Sequence, residues 1–320
     1  MFSSMRAFAF LSVSAASALF FSWSVALAQE RTVAITVDDL PFAGDGAPAD
    51  IPAFNRDLLA AFQAHHVPVT GFAIQKRVES LGPTSGTRIL KEWISRGFDL
   101  GNHTYSHPDI NDLSTRQIED EIARGESTVA PLMLEAGKKL TFFRFPFNHT
   151  GDTQAKHDEI AAFLAQRGYR LATCTIDTSD YVFNDAYVQM LAKNDQAAAD
   201  KLRLDYLAYT SVEIDYYAAL NKQVFGYEPP EVMLLHDNRL NADVIEQVLR
   251  LFEEKQYKFV PLDRAQADAA YRTPDTYITK FGPMWGYRWA KERNVKVNGS
   301  LETDPPKWIS EYGKAGAPVR

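Results

Sequence analysis

The chain has 320 residues, a formal net charge of −7 and a single cysteine. The negative charge disfavours nucleic acid and anionic lipid as partners, because both present phosphate groups of the same sign. With one cysteine, Cys174, an intramolecular disulfide is excluded. Cys174 lies in the apolar run Leu171–Ile176, which predicts a buried thiol rather than a nucleophile. The length suits one large domain, or one domain with an appended segment.

The N-terminal residues have the pattern of a secretory signal peptide. Arg6 precedes an apolar run rich in alanine and serine, Ala7–Leu27, and small residues stand where a signal peptidase would cut before Gln29. An uncleaved membrane anchor is the alternative, because the run approaches spanning length. The small residues and the serines in the run favour cleavage. We therefore predict a signal peptide over residues 1–28, a secreted or periplasmic mature chain and no stable membrane anchor after cleavage.

Short apolar or β-branched runs then alternate with stretches of helical spacing, a pattern typical of an α/β protein with parallel strands. The seven predicted strands are Thr32–Val37, Val67–Ile74, Phe98–Gly101, Leu140–Phe145, Arg170–Ile176, Glu231–Leu235 and Tyr257–Pro261. Ser114 and Gln117 predict a capping box at the start of the helix after the third strand. Asn241–Glu254 has the apolar stripe of a helix that packs on a core.

Two regions depart from this alternation. Residues from about 182 to 226 are too long for a simple connection and predict a helical insertion within a main domain of residues 29–270. One hypothesis is that this insertion roofs the substrate groove. Residues 271–320 form an irregular C-terminal extension that is rich in aromatic residues. These aromatic side chains either pack on the domain, which is the commoner outcome, or line a sugar-binding surface.

Unusual polar residues follow the ends of five predicted strands. They are Asp38 and Asp39, His103 and His107, Arg144, Asp177 and Asp180, and His236 and Asp237. In parallel α/β barrels the carboxyl ends of all strands meet at one face, where active sites are built. We therefore predict that these distant residues converge.

The two histidines suggest a metal site. His103 and His107 are four residues apart, so that both rings would point the same way on one helical turn. Two imidazoles and one carboxylate, with open positions for water, are typical of a catalytic metal centre. Zinc is the default metal, and cobalt, manganese or nickel would suit the same ligands. The alternative is a pair of unrelated core or surface histidines.

The adjacent carboxylates fit the same hypothesis. Asp38 and Asp39 repel each other, so something must neutralise them. One would bind the metal, while the other would take a proton from the water that the metal activates. An Asp-Asp turn that caps the following segment is the alternative, which Pro41 makes reasonable on local grounds.

Five motifs together resemble the polysaccharide deacetylases that share the NodB homology domain (carbohydrate esterase family 4). They are Thr36–Asp39, His103–His107, Arg144–Phe147, Asp177–Tyr181 and Leu234–Asp237, in the order found in that family. The resemblance covers roughly Arg31 to Asp263. It implies a distorted (β/α)7 barrel of the NodB type, here with the helical insertion and the C-terminal extension. It also implies that Asp38 is the catalytic base.

The resemblance implies roles for the remaining motif residues. Its metal triad corresponds to Asp39, His103 and His107. Arg144 matches the arginine that orients the base, and Asp180 matches the acid that pairs with the catalytic histidine, His236, which is the general acid. The backbone N–H of Phe147 matches an oxyanion donor, and Tyr181 stands where a pocket-wall aromatic, usually tryptophan, is found.

The chain also departs from the family pattern. Leu40 replaces the glycine after Asp-Asp and is expected to add bulk near the metal, and Asn148 replaces the glycine that closes the third motif. Asparagine tolerates a left-handed backbone, so this turn is expected to survive.

The expected function is removal of N-acetyl groups from a glycan such as peptidoglycan, a chitin-type oligomer or an exopolysaccharide. An O-acetyl esterase, a small-molecule amidase and an inactive glycan-binding protein are the alternatives.

Overall fold

The computed structural model describes residues 30–44, 50–82 and 84–315, besides Met1. Apart from Met1, the predicted signal peptide over residues 1–28 lies outside the described residues. Among the helices of the described part, none is both long and apolar enough to cross a membrane.

All seven predicted strands are present, and every pairing between them is parallel. The strands are β1 (Arg31–Leu40), β2 (Val69–Ala73), β3 (Asp99–Asn102), β4 (Phe142–Phe143), β5 (Arg170–Leu171), β6 (Glu231–His236) and β7 (Tyr257–Phe259). Their order in the sheet is β5-β4-β3-β2-β1-β6, and β7 pairs with the first residues of β1.

The two ends of this sheet approach each other. β5 pairs with β4, and a few residues later Ile176 forms a parallel bridge to Met233 in β6, at the opposite end of the strand order. The Leu234 N–H donates to the carbonyl of Ile176 at 3.0 Å. The sheet is therefore curled into a distorted, incompletely paired barrel, which confirms the predicted fold class.

The described helices surround this sheet. They are α1 (Ile51–Ala64), α2 (Gln75–Ser80), α3 (Ser85–Ser95), α4 (Thr115–Glu135), α5 (Gln154–Gln166), α6 (Asp180–Ala192), α7 (Gln196–Phe225), α8 (Arg239–Glu254), α9 (Leu262–Ala265), α10 (Trp285–Glu292) and α11 (Lys307–Ala315). β1 is buried on both faces, which explains why Val33–Val37 reads as a continuous apolar run with one threonine rather than an alternating one.

Local sequence signals explain where two helices begin and how they pack. At the start of α4 the Ser114 N–H donates to Gln117 Oε1 at 2.9 Å, and the Gln117 N–H donates back to Ser114 Oγ, which completes the predicted capping box. The predicted apolar stripe of α8 is buried, and this helix packs on α1.

The insertion and the extension pack on each other. Residues 182–226 contribute most of α6 and all of α7, and the extension contributes α10, which packs on α7, and α11, which packs on α6. Trp285 and Trp289 are buried, as expected for packing residues, whereas Phe281 is exposed. The long helix α7 also supports the loop before α6, because Tyr206 is buried with its hydroxyl 3.1 Å from Thr178 Oγ1.

Candidate active site

The end of β1 carries two nearly buried carboxylates, Asp38 and Asp39, which are 4% and 7% exposed. In a regular strand, neighbouring side chains point to opposite faces. Asp39 instead has a left-handed φ of 71°, and the pairing of β1 with β2 is irregular at this point. Both carboxylates consequently approach one imidazole. Asp38 Oδ2 lies 3.7 Å and Asp39 Oδ1 3.6 Å from Nε2 of His103.

The predicted helical turn from His103 to His107 is wrong. The backbone after β3 is irregular, with left-handed φ angles of 70° at Thr104 and 59° at His107. Side chains accept the amide hydrogens instead of helical carbonyls: the Thr104 N–H donates to Asn102 Oδ1 at 2.9 Å, and the His107 N–H to Thr104 Oγ1 at 3.0 Å. The two rings still converge, with centroids 4.9 Å apart.

Asp39, His103 and His107 form a donor set that suits a divalent metal. One ligand atom from each residue lies within 4.8 Å of the other two. Asp39 Oδ1 is 3.6 Å from Nε2 of His103 and 3.4 Å from Nε2 of His107. This oxygen is buried and accepts no hydrogen bond from the described residues. A cation between the three atoms would satisfy it, so the residues present fit a metal of the zinc type.

The protonation states of the histidines agree with this use. His103 Nδ1 lies 2.9 Å from the carbonyl of Arg144, which selects the tautomer that donates there and leaves the Nε2 lone pair free. Burial lowers the pKa of both His103 and His107 to about 4, although the Asp39 charge opposes this shift. Both imidazoles are therefore neutral near pH 7, as metal ligation requires.

Arg77, which belongs to none of the five motifs, holds the other oxygen of Asp39. From α2 its Nη1 lies 2.9 Å from Asp39 Oδ2, and it also donates to the carbonyl of Phe42 at 2.9 Å. Oδ1 is thereby turned toward the histidines. No local signal distinguished Arg77 from other charged residues of its helix, because only the tertiary fold brings α2 to the end of β1.

Arg144 pairs with the second carboxylate. It lies directly after β4, is fully buried, and its Nη1 donates to Asp38 Oδ1 at 2.8 Å and to Thr36 Oγ1 at 2.7 Å. These bonds fix the orientation of Asp38. Burial raises the pKa of Asp38 above its ordinary value, and the positive charge of Arg144 opposes this without cancelling it. A carboxylate that is oriented and more basic than usual is suited to accept a proton.

His236 stands beside Asp38 because β1 and β6 pair in register at these two residues. Asp180, the first residue of α6, lies 2.6 Å from Nδ1 of His236 and also accepts its backbone N–H at 2.8 Å. Burial by itself would lower the pKa of His236. The charge and hydrogen bond of Asp180, with the more distant Asp39 and Asp38, outweigh that effect and raise the pKa to about 10.

Part of the chain is similar to known proteins. Residues 27–172 match the family model described as polysaccharide deacetylase. Over these residues the chain is similar to the polysaccharide deacetylase family. A chitin deacetylase of Arthroderma benhamiae is 29% identical over 150 residues, which cover 47% of this chain and 35% of that protein. A peptidoglycan-N-acetylglucosamine deacetylase of Bacillus cereus is 26% identical over 149 residues, which cover 47% of this chain and 46% of that protein.

The chain thus spans less than half the length of these two relatives. Among solved structures, a peptidoglycan deacetylase from Bacillus subtilis aligns with 75% of this chain and 91% of that one, at 17% identity and a TM-score of 0.48. The family match ends at residue 172, before Asp180 and His236. These two residues join the site through the geometry of β6 and α6.

Two half-exposed aromatic rings flank the candidate site. Phe147 is 54% exposed, and its ring lies edge-on to His107 with centroids 4.8 Å apart. Tyr181 is 52% exposed and lies edge-on to His236 at 5.9 Å. Each ring therefore contacts a histidine on one side and solvent on the other.

The two departures from the family pattern have different outcomes. Asn148 has a left-handed φ of 54°, so the expected tolerance is confirmed. The expectation that Leu40 adds bulk near the metal is wrong. The side chain of Leu40 is fully buried and packs over Gly71 of β2. The contact is so close that a Cβ built on Gly71 would lie 2.6 Å from a Leu40 methyl carbon. The groove therefore does not contain this side chain. Cys174 is buried, as predicted.

Proposed function

We propose that this protein is a metal-dependent hydrolase that removes N-acetyl groups from a glycan. The observation that carries the proposal is one site with three functions: the donor set Asp39, His103 and His107, the oriented carboxylate of Asp38, and the protonated His236. The named activities of the relatives, on chitin and on peptidoglycan N-acetylglucosamine, support an acetylated glycan as the substrate class. We also propose secretion or a periplasmic location, with residues 29–270 as the catalytic domain.

The residues would divide the chemistry as follows. When bound, a divalent metal supplies a water of lowered pKa and polarises the acetyl carbonyl. Asp38, oriented by Arg144, accepts a proton as the water oxygen adds to the carbonyl carbon. The Phe147 N–H donates to the oxyanion. His236 gives its proton to the departing nitrogen as the C–N bond breaks, so that acetate and a free amine leave the site.

Acetate release from defined substrates tests this proposal. The protein, stripped of metal and then reloaded with zinc or cobalt, is expected to release acetate from N-acetylglucosamine oligomers but not from O-acetylated xylan. Activity should disappear with a chelator and return with either metal. Release only from the xylan would identify an O-acetyl esterase. No release from either substrate by fully loaded protein would contradict the proposal and favour a glycan-binding protein.

Asp180→Asn is expected to move the alkaline limb of activity to lower pH by at least one unit. A general acid works only while protonated, so activity falls as the pH rises through the pKa of His236. That pKa is raised to about 10 chiefly by Asp180, and the neutral asparagine removes the raising charge. The pH dependence of kcat/KM measures the shift. Asp185→Asn, an exposed change on the same helix, should leave the profile in place. If the alkaline limb of kcat/KM stays at the same pH in Asp180→Asn, the role of His236 as the general acid is contradicted.

A further inference from the structure

The C-terminal extension reaches the loop that carries Phe147. This loop begins with the short 3-10 helix Pro146–Asn148 and continues to Thr150. Arg288, in α10 of the extension, is only 1% exposed. Its Nη2 donates to the carbonyl of Asn148 at 3.0 Å, and its Nη1 donates to Thr150 Oγ1 at 3.0 Å. One guanidinium therefore binds the loop at two points just beyond Phe147.

The loop needs support because its backbone is strained. Phe147 and Asn148 are consecutive residues with left-handed φ angles of 57° and 54°. A side chain with a Cβ disfavours this conformation, and such strain persists only where the surrounding structure imposes it. Asn148 is the more tolerant of the two, but Phe147 is not a residue that adopts it readily. The hydrogen bond from Arg288 of the extension to Asn148 is therefore made at one of the two strained residues.

A second contact from the extension meets the loop at Phe147 itself. The carbonyl of Phe147 lies against Gly282, so closely that a Cβ built on the glycine would stand 1.7 Å from this oxygen. Only glycine permits that approach. The loop is therefore held by a backbone contact at Phe147 and by the guanidinium at Asn148.

Arg288 is itself fixed in place. Both oxygens of Asp275 lie close to its Nη1, at 3.0 and 3.2 Å, and its Nε donates to the carbonyl of Pro283 at 3.3 Å. The carboxylate neutralises the buried guanidinium, and bonds to charged donors of this kind are among the stronger hydrogen bonds in proteins. The rigid fork of an arginine is needed to bind several acceptors at once.

We propose that Arg288 is a positioning residue that holds the strained loop so that the Phe147 N–H points at the developing oxyanion. This rests on the proposed deacetylase function. It assigns the C-terminal extension a part in the reaction, although none of its residues is placed among the catalytic groups.

The test compares Arg288→Met, Arg288→Lys and Gly282→Ala with a control, Arg293→Met. Arg293 is in the same extension, but it donates to Val224 of the insertion and not to the loop. We expect kcat to fall about ten- to hundredfold in Arg288→Met and Gly282→Ala, with KM changed less than about threefold and metal content unchanged. Arg288→Lys should retain an intermediate kcat, and Arg293→Met should match the parent protein.

Amide hydrogen exchange supplies a readout that does not depend on activity. The N–H groups of Asn148 and His149 each donate at 3.2 Å within the loop, to Phe145 and Pro146. They should exchange faster in Arg288→Met and Gly282→Ala, while the amides around Asp39 and His103 stay as protected as in the parent. If the parent protein releases no acetate, the proposed function fails, and the exchange data still test whether Arg288 holds the loop.

Three results would overturn the proposal. One is a parental kcat in folded Arg288→Met, and another is loop exchange unchanged from the parent. The third is a fall in kcat that Arg293→Met reproduces, since that would indicate a general loss of stability. Should Arg288→Met fail to fold, Arg288→Lys and Gly282→Ala decide the question by the same measurements.

Discussion

Asp38→Asn is expected to lower kcat for acetate release by roughly 10²–10⁴-fold, the range that general base catalysis contributes. Asparagine has the same size and still offers an oxygen to the Nη1 of Arg144, which lies 2.8 Å from Asp38 Oδ1. The amide accepts no proton from water, so the chemical step fails while the fold and the donor set persist. Steady-state kinetics and metal analysis of the same sample measure the two effects separately.

Asp39→Asn is the matched comparison, because it makes the same chemical change one residue further along β1. Asp39 contacts both His103 and His107, whereas Asp38 contacts only His103 of this pair. Asp39→Asn should therefore lose metal as well as turnover. Substantial activity in metal-loaded Asp38→Asn would show that another group is the base. Equal metal loss in both variants would show that the two carboxylates share the ligand role.

His103→Ala is expected to abolish both metal binding and turnover. His103 is buried, and its Nε2 faces Asp39 Oδ1, so its loss removes one of three ligands and leaves a cavity beside the carboxylate. Loss of a residue that only hydrogen-bonds to a metal ligand lowers metal affinity by about 10–100-fold, and loss of the ligand His103 itself should lower it further. Titration with zinc against a competing chelator measures the affinity, and circular dichroism checks the fold.

His65→Ala serves as the control for His103→Ala. His65 follows α1 and precedes β2, and it pairs with Glu253 and Glu246, whereas the donor set lies at the carboxyl ends of the strands. It should bind metal like the parent protein. Stoichiometric, tight metal binding by His103→Ala would mean that the triad is wrongly assigned.

Much of the fold was predictable because parallel strands that are buried on both faces leave an unmistakable apolar run, as Val33–Val37 in β1 does. The site residues were predictable in position for a related reason. Polar side chains at the ends of such strands have no place in a core, so Asp38, Arg144 and His236 stood out against apolar neighbours. Their roles remain proposals until the variants are measured.

Local spacing was a poor guide where side chains bind the backbone. The separation of His103 and His107 predicted a helical turn, but Asn102 and Thr104 accept the amide hydrogens and turn the chain differently. From its position after Asp39 in the sequence, Leu40 was expected to add bulk near the metal. The irregular end of β1 and the small Gly71 opposite it direct the side chain into the core instead.

The α/β class, the strand positions, the donor types and the order of the motifs can be predicted from the amino-acid sequence, because these depend on hydrophobic pattern and residue chemistry. The contact of Arg77 with Asp39, and that of Arg288 with Asn148, 140 residues earlier in the chain, are seen only in the folded protein. An arginine on a helix has the same local signature whether it faces solvent or a buried carbonyl. What distinguishes these two is the packing of α2 and α10 against the carboxyl end of the barrel.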